Sequence, residues 1–188
     1  MARKKNYNEQ EVIEKSMQLF WRNGYETTSV RMLEKEMGIN QFSMYSSFGS
    51  KQGIFLESIK LYKNKVRVEL IDKLIASNNG VDDIKQYFIN FIEFSKDTKS
   101  CKGCLLTNTI TELGEDSDEL IKSEIQKFAT KVRESFVDKL KHNSDKNKAT
   151  IEQQANYLMV ALQGISVASK MFNKKQINDF IKITFQNL

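Results

Sequence analysis

The chain has 188 residues, 40% of them apolar and 28% charged, with a net charge of +5 and a sequence pI near 9.0. That length supports one moderately large domain or two small ones with a real core, and no apolar run approaches the ~18 residues of a membrane span. Two cysteines exclude a disulfide scaffold and suit a reducing, cytoplasmic setting, and the polar start MARKKNYNEQ reads as carrying no secretory leader.

Proline, the main breaker of helices, is absent, and apolar residues recur at helical spacing almost everywhere. The arm ahead of the first helix holds Arg3, Lys4 and Lys5 and no acid. It is either a solvated terminus or, in front of a DNA-binding motif, a set of phosphate contacts. Asn8 and Glu11 suggest a capping box for a first helix that buries Ile13, Met17, Phe20 and Trp21 and ends at a left-handed Gly24. Two very short helices follow: Val30, Leu33 and Met37 point inward on the first, Met44 and Phe48 on the second, and Gly38 makes the turn.

Ser50 then caps a long helix with two apolar ridges, one of them Ile54, Leu61, Val68, Ile71 and Ile75. After SNNG a helix carries the aromatic stripe Tyr87, Phe88 and Phe91, and a short helix spans about Cys104 to Leu113. Ser117 is the expected cap of the next long helix. In the last pair, Ile151, Ala155, Leu158, Leu162, Ile165, Ser169 and Phe172 form a heptad seam, and Ile177, Phe180, Ile181 and Phe185 make a final amphipathic helix. The chain therefore reads as all-α.

Enzyme chemistry lacks its inventory. The single histidine, His142, sits in a charged loop; there is no Glu-x-x-His pair and no glycine-rich phosphate loop. The CKGC at Cys101–Cys104 has no second pair to complete a zinc site. It is read as packing at a helix start, with a redox or electrophile switch as the alternative, since Lys99 and Lys102 could lower a thiol pKa. No metal or cofactor is expected.

The stretch TTSVRMLEKEMGINQFSMYSSFGSK carries the function. Two short helices around a glycine are what a helix-turn-helix needs, and a helix entering a major groove about 12 Å wide needs a small, polar outer face. Gln41 can read a base edge; Ser43, Tyr45 and Ser46 can reach bases or phosphates. Phe42 either contacts a thymine methyl or turns inward. Thr28, Ser29 and Arg31 at the start of the preceding helix, and Lys51 after the motif, complete the expected DNA-facing set. An ordinary helical corner with exposed hydroxyls is the alternative.

The run LFWRNGYETTSVRMLEKEMGINQFSMYSSFGSKQGIF resembles the DNA-binding domain of the tetracycline-repressor (TetR) family of bacterial transcriptional regulators. Leu19-Phe20, Gly24-Tyr25, Thr28-Ser29, Gly38-Ile39, Tyr45, Phe48, Ser50-Lys51 and Phe55 stand in the family's order, across roughly residues 12–60. KGCLLTNTITEL resembles a segment of the ligand-binding domain in one branch of the family. Glu34, Met37, Phe42, Ser46, Ser47 and Gln52 depart from the usual pattern, which bears on the operator sequence and not on the fold.

The resemblance implies nine helices: an N-terminal helix-turn-helix domain at 1–52 and a C-terminal helical ligand-binding and dimerisation domain at 53–188. It also implies a homodimer on a palindromic double-stranded operator, with the last two helices of each subunit pairing. Leu158, Leu162, Ile165, Phe172, Phe180 and Phe185 are the interface residues on this reading. Phe88, Phe91, Ile92, Leu106, Ile110, Phe128 and Val132 are expected around an apolar pocket, with Asn108, Tyr157 and Gln163 as polar anchors. The expected function is a repressor released by a small apolar or aromatic effector. A protein-binding helical adaptor and a DNA-binding regulator without effector are the alternatives.

Overall fold

The computed structural model describes residues 7–96, 101–114, 118–142, 145–186 and 188. Arg3, Lys4, Lys5 and Ser117 lie outside the described residues. Among those described, the chain forms nine helices and no strand, with one isolated bridge between Lys96 and Cys101. No helix is long and apolar enough to cross a membrane.

Helix α1 (Glu9–Asn23) starts at Asn8, whose side chain accepts from the N–H groups of Gln10 and Glu11. It ends at Gly24, where φ is +89° but ψ is 166°, a positive-φ extended turn and not the left-handed cap expected. Helices α2 (Val30–Met37) and α3 (Gln41–Phe48) flank a left-handed Gly38. Helix α4 occupies residues 51–76: α-helical over Lys51–Val66, a π turn over Arg67–Ile71, and α-helical again over Asp72–Ala76. Then follow α5 (Val81–Phe94), α6 (Leu105–Glu112), α7 (Glu119–Lys141), α8 (Lys148–Ala168) and α9 (Lys174–Gln186).

Helix α1 packs along the first half of α4. Phe20 meets Phe55 edge-on at 4.8 Å, and Tyr25 lies 4.4 Å from the same ring. Ser16 and Ser58 share a 3.0 Å hydrogen bond inside this seam, so two fully buried hydroxyls satisfy each other. Further along, Trp21, Tyr62 and Phe94 form a second aromatic cluster. The π turn rephases α4. Leu70 and Leu74 stay in the core; of the second ridge Ile54 and Ile71 are buried and Leu61 is partly buried, but Val68 and Ile75 turn outward at 50% and 59% exposure. The end of α4 is fastened by the buried Lys139 of α7, which donates to the carbonyls of Ile75 and Ser77 and lies 3.5 Å from Asp83.

The heptad seam of α8 faces its own subunit. Ile151, Ala155, Leu158 and Ile165 are buried, while Tyr157, Val160, Val167 and Met171 form a separate exposed stripe. On α9, Ile177 and Ile181 are buried and Phe180 and Ile183 are exposed.

Candidate functional site

Helix α3 is anchored by one fully buried residue, Met44, and supported by the partly buried Phe48. Its N-terminus is held twice: Asn40 accepts from Ser43 N–H at 2.9 Å, and the Glu34 carboxylate of α2 accepts from Gln41 N–H. Its C-terminus presses so closely on α4 that a β-carbon at Gly53 would stand 1.8 Å from the Phe48 carbonyl oxygen, so only glycine fits there. Tyr7 braces the far side through the Ser47 hydroxyl at 2.5 Å and the Ser43 carbonyl at 3.4 Å. Tyr7, two residues after Lys5 of the basic arm, is therefore tied to α3, a role that it gave no sign of in the sequence.

Held this way, α3 projects Gln41, Phe42, Tyr45 and Ser46 into solvent as one stripe, with Phe42 at 78% exposure. Phe42 turns outward and not into the core. Ser43 is half-buried behind the stripe. At the edge, Ser29 caps α2 by accepting from Met32 N–H at 3.2 Å, and Arg31 is exposed. Thr28 differs from the expectation: it is fully buried, and its hydroxyl donates to the Gly24 carbonyl at 2.5 Å, so it shapes the turn and presents nothing to a ligand. Lys51 lies over the Tyr25 ring at 4.5 Å and reaches the Glu26 carbonyl. Partial burial holds its ammonium below the usual lysine range, against the fields of Glu26 and Glu112. The stripe itself has no formal charge, and cations stand at its margins, the arrangement in which phosphates position the protein and bases are read by neutral groups.

A second feature lies under this unit. A cavity of about 60 Å³ is enclosed by α4, α5, α6, α7 and α8. Phe91, Leu106, Ile110, Phe128, Val132 and Gln163 line it, as expected. Four expected residues do not. Phe88 packs on Phe136 and Phe185, Ile92 faces an outer groove, Tyr157 is half-exposed, and Asn108 is bonded to the Lys102 carbonyl and the Lys170 ammonium. Tyr62, Tyr87, Cys104 and Thr107 take their places. The Tyr62 hydroxyl donates to Cys104 Sγ at 3.3 Å, and the Thr107 hydroxyl bonds Gln163. Burial pushes both phenols well above the usual tyrosine range. No group of residues suited to a metal ion occurs among the described residues.

The segment around α6 connects cavity and α1–α4 unit. Trp21 Nε1 donates to the Gly103 carbonyl at 3.0 Å, and the Lys102 ammonium sits 4.0 Å over the Trp21 ring. At the other end of α6, the Glu112 carboxylate accepts from Glu26 N–H at 3.0 Å. That carboxylate occupies the space where a side chain at residue 24 would begin, with Oε1 only 2.1 Å from an ideal β-carbon, and the φ of +89° there is the backbone region that favours glycine.

The expected dimer residues divide. Leu158 and Ile165 are buried in the subunit, Leu162 lines the cavity, Phe185 packs on Phe88, and Phe172 borders the outer groove. Phe180 is exposed, as are Ile183 of the same helix and Val160 and Met171 of α8.

Residues 12–58 match the family described as "Bacterial regulatory proteins, tetR family". The chain is 27% identical over 112 residues to the HTH-type transcriptional regulator YezE of Bacillus subtilis, covering 60% of this chain and 58% of that protein. It is 25% identical over 175 residues to the HTH-type transcriptional repressor ComR of Escherichia coli, covering 90% and 82%. Its fold matches that of the TetR family transcriptional regulator CifR, in a cysteine-substituted form complexed with a 26 bp double-strand operator DNA. The TM-score is 0.86 over 98% of each chain, at 19% identity.

Proposed function

We propose that the chain is a DNA-binding transcriptional regulator of the TetR family and that it acts as a homodimeric repressor released from its operator by a small apolar effector. The observation that carries the DNA-reading part is the α3 stripe: a short helix, pinned from behind by Met44, Glu34 and Tyr7, offers Gln41, Phe42, Tyr45 and Ser46 outward. Gln41 reads a base edge, Phe42 meets a thymine methyl, and Ser29, Arg31, Lys51 and the Arg3–Lys5 arm take phosphates. Residues 1–52 form the reading unit and 53–188 the sensing and dimerising unit.

The apolar stripe of α8 and the exposed side of α9 support the homodimer. Gly164 lies in that stripe with nothing within 4 Å of an added β-carbon, leaving room for a close helix–helix approach. Two such subunits would set their α3 helices about 34–36 Å apart, one turn of DNA. The inner cavity supports the effector, and its Tyr62, Tyr87, Thr107 and Gln163 side chains are the orienting polar groups. At about 60 Å³ it lies below the ~300–1,000 Å³ usual for small-molecule sites. An effector therefore has to widen it, and the widening displaces α6, which holds Trp21 and Glu26. The same small volume favours the second reading, a regulator that needs no effector.

Genomic footprinting followed by electrophoretic titration on the recovered site tests the proposal. A palindromic site bound by two subunits is the expected result. Effector candidates are then titrated against free and operator-bound protein, and by linkage an inducer binds the free form more tightly. Binding of single half-sites by monomers would refute the homodimer.

A further inference from the structure

We propose that the outer groove between α5 and α9 binds a small amphiphilic carboxylate, its head between Lys85 and Lys182 and its chain laid over the isoleucines of both helices. The groove encloses about 460 Å³, within the ~300–1,000 Å³ range of small-molecule sites and several times the inner cavity. Both walls repeat one pattern. On α5 the lining residues are Lys85, Ile89, Ile92, Glu93 and Lys96; on α9 they are Lys174, Ile177, Asn178, Ile181 and Lys182. Each set follows helical spacing, so each helix presents a stripe with cations at its ends and isoleucine between them.

The helices run antiparallel. Phe88 packs edge-on against Phe185 at 5.2 Å near one end. Near the other, Lys96, with help from Lys174, holds the Glu93 carboxyl below the usual carboxylate range. The two ends of the groove therefore differ. Lys96 bonds Glu93 at 2.6 Å, so the far end already contains its anion. Among the described residues the near end has Lys85 and Lys182 with no carboxylate lining it, and neither lysine forms an ion pair there. Two like charges facing one apolar trough repel each other unless an anion lies between them.

The apolar floor selects the rest of the ligand. From Lys85 to Ile92 the groove is about 10 Å long at the helical rise, the reach of a medium-length alkyl chain, and Ile89 and Phe172 are exposed there at 38% and 51%. An inorganic anion would leave that floor wet, and a neutral hydrocarbon would leave the lysines unpaired. The ligand that satisfies both is a carboxylate with an unbranched apolar tail. By helical spacing the groove lies on a different side of α9 from Phe180 and Ile183, so it stays open in the proposed dimer. The proposal needs no DNA and does not depend on the inner cavity.

The test is calorimetric titration of the full chain with octanoate and with 1-octanol, below their aggregation limits. Octanoate is expected to bind at one site per chain, and octanol about tenfold more weakly or worse, the loss of one charge-assisted contact. The double variant Lys85→Glu/Lys182→Glu should melt as the parent does, because both residues are exposed, and should lose octanoate binding. Ile89→Ala, which removes an exposed part of the floor, should weaken octanoate and octanol alike. Equal affinity for acid and alcohol, or undiminished octanoate binding by the double charge variant, would overturn the proposal. So would loss of octanoate binding on filling the inner cavity with Leu106→Trp while the lysine variant still binds.

Discussion

Val160→Asp is the sharpest test of the proposed two-subunit interface. Val160 is 71% exposed in the subunit, at the centre of the α8 stripe that also holds Tyr157, Val167 and Met171. Burying a whole valine side chain contributes about 1.5–3 kcal/mol, so covering the exposed 71% contributes about 1–2 kcal/mol per subunit. A two-fold interface counts each residue twice, so removing this contact costs about 2–4 kcal/mol of dimer. At about 1.4 kcal/mol per decade, the dimer dissociation constant rises by ~30- to 1,000-fold. An aspartate adds the further cost of burying two unpaired carboxylates against each other. Sedimentation equilibrium over a wide concentration range should find monomer for Val160→Asp, with circular dichroism unchanged because the site is exposed, and affinity for a full palindrome should fall with it. Leu162→Asp should behave differently. That residue lines the inner cavity, so its charge destabilises the subunit itself. A Val160→Asp protein that stays dimeric with the parent dissociation constant would refute the assignment of this face.

Gln41→Ala should cost ~1–3 kcal/mol at one base pair and relax preference there; a binding-site selection experiment with an unchanged profile would remove Gln41 from direct readout. Glu112→Ala should lower stability by about 1.5 kcal/mol, the low end for a bond to a charged group, since water can replace the carboxylate at the exposed Glu26 N–H. It should also raise hydrogen exchange in the 24–28 turn while leaving that of α8 alone. Asp83 is pushed up by burial, but bonds from Ser77 and Asn79 and the nearby Lys139 outweigh that and leave its pKa lowered. Its stabilising effect is therefore complete above the unfolded value of about 3.9 and is lost as pH falls through the lower folded value. Denaturant titrations of Asp83→Asn should show a flatter acid limb than those of the parent.

Much of this protein was legible in the sequence because its signals are local. Helix spacing, the caps at Asn8 and Ser50, the glycine turn at Gly38 and the polar outer residues of α3 each depend on a few neighbours along one helix. Those same local signals marked α3 as a helix expected to offer its outer side to another molecule. What they could not decide was which of two apolar stripes on a helix faces its own subunit. On α8 the regular heptad seam was the stripe expected at the dimer, yet it is the inner one. The irregular stripe through Val160 and Gly164 is left outside, because α7 and α6 cover the seam first. Long-range contacts likewise decided that Tyr7 braces α3 and that Glu112 fills the space beside Gly24. Each joins segments distant in the chain, and spacing along one helix contains no information about a partner brought in from another. The size of the inner cavity is of the same kind: aromatic content predicts a crowded layer, but the gaps depend on how Tyr62, Tyr87 and Phe128 interlock once the helices have packed.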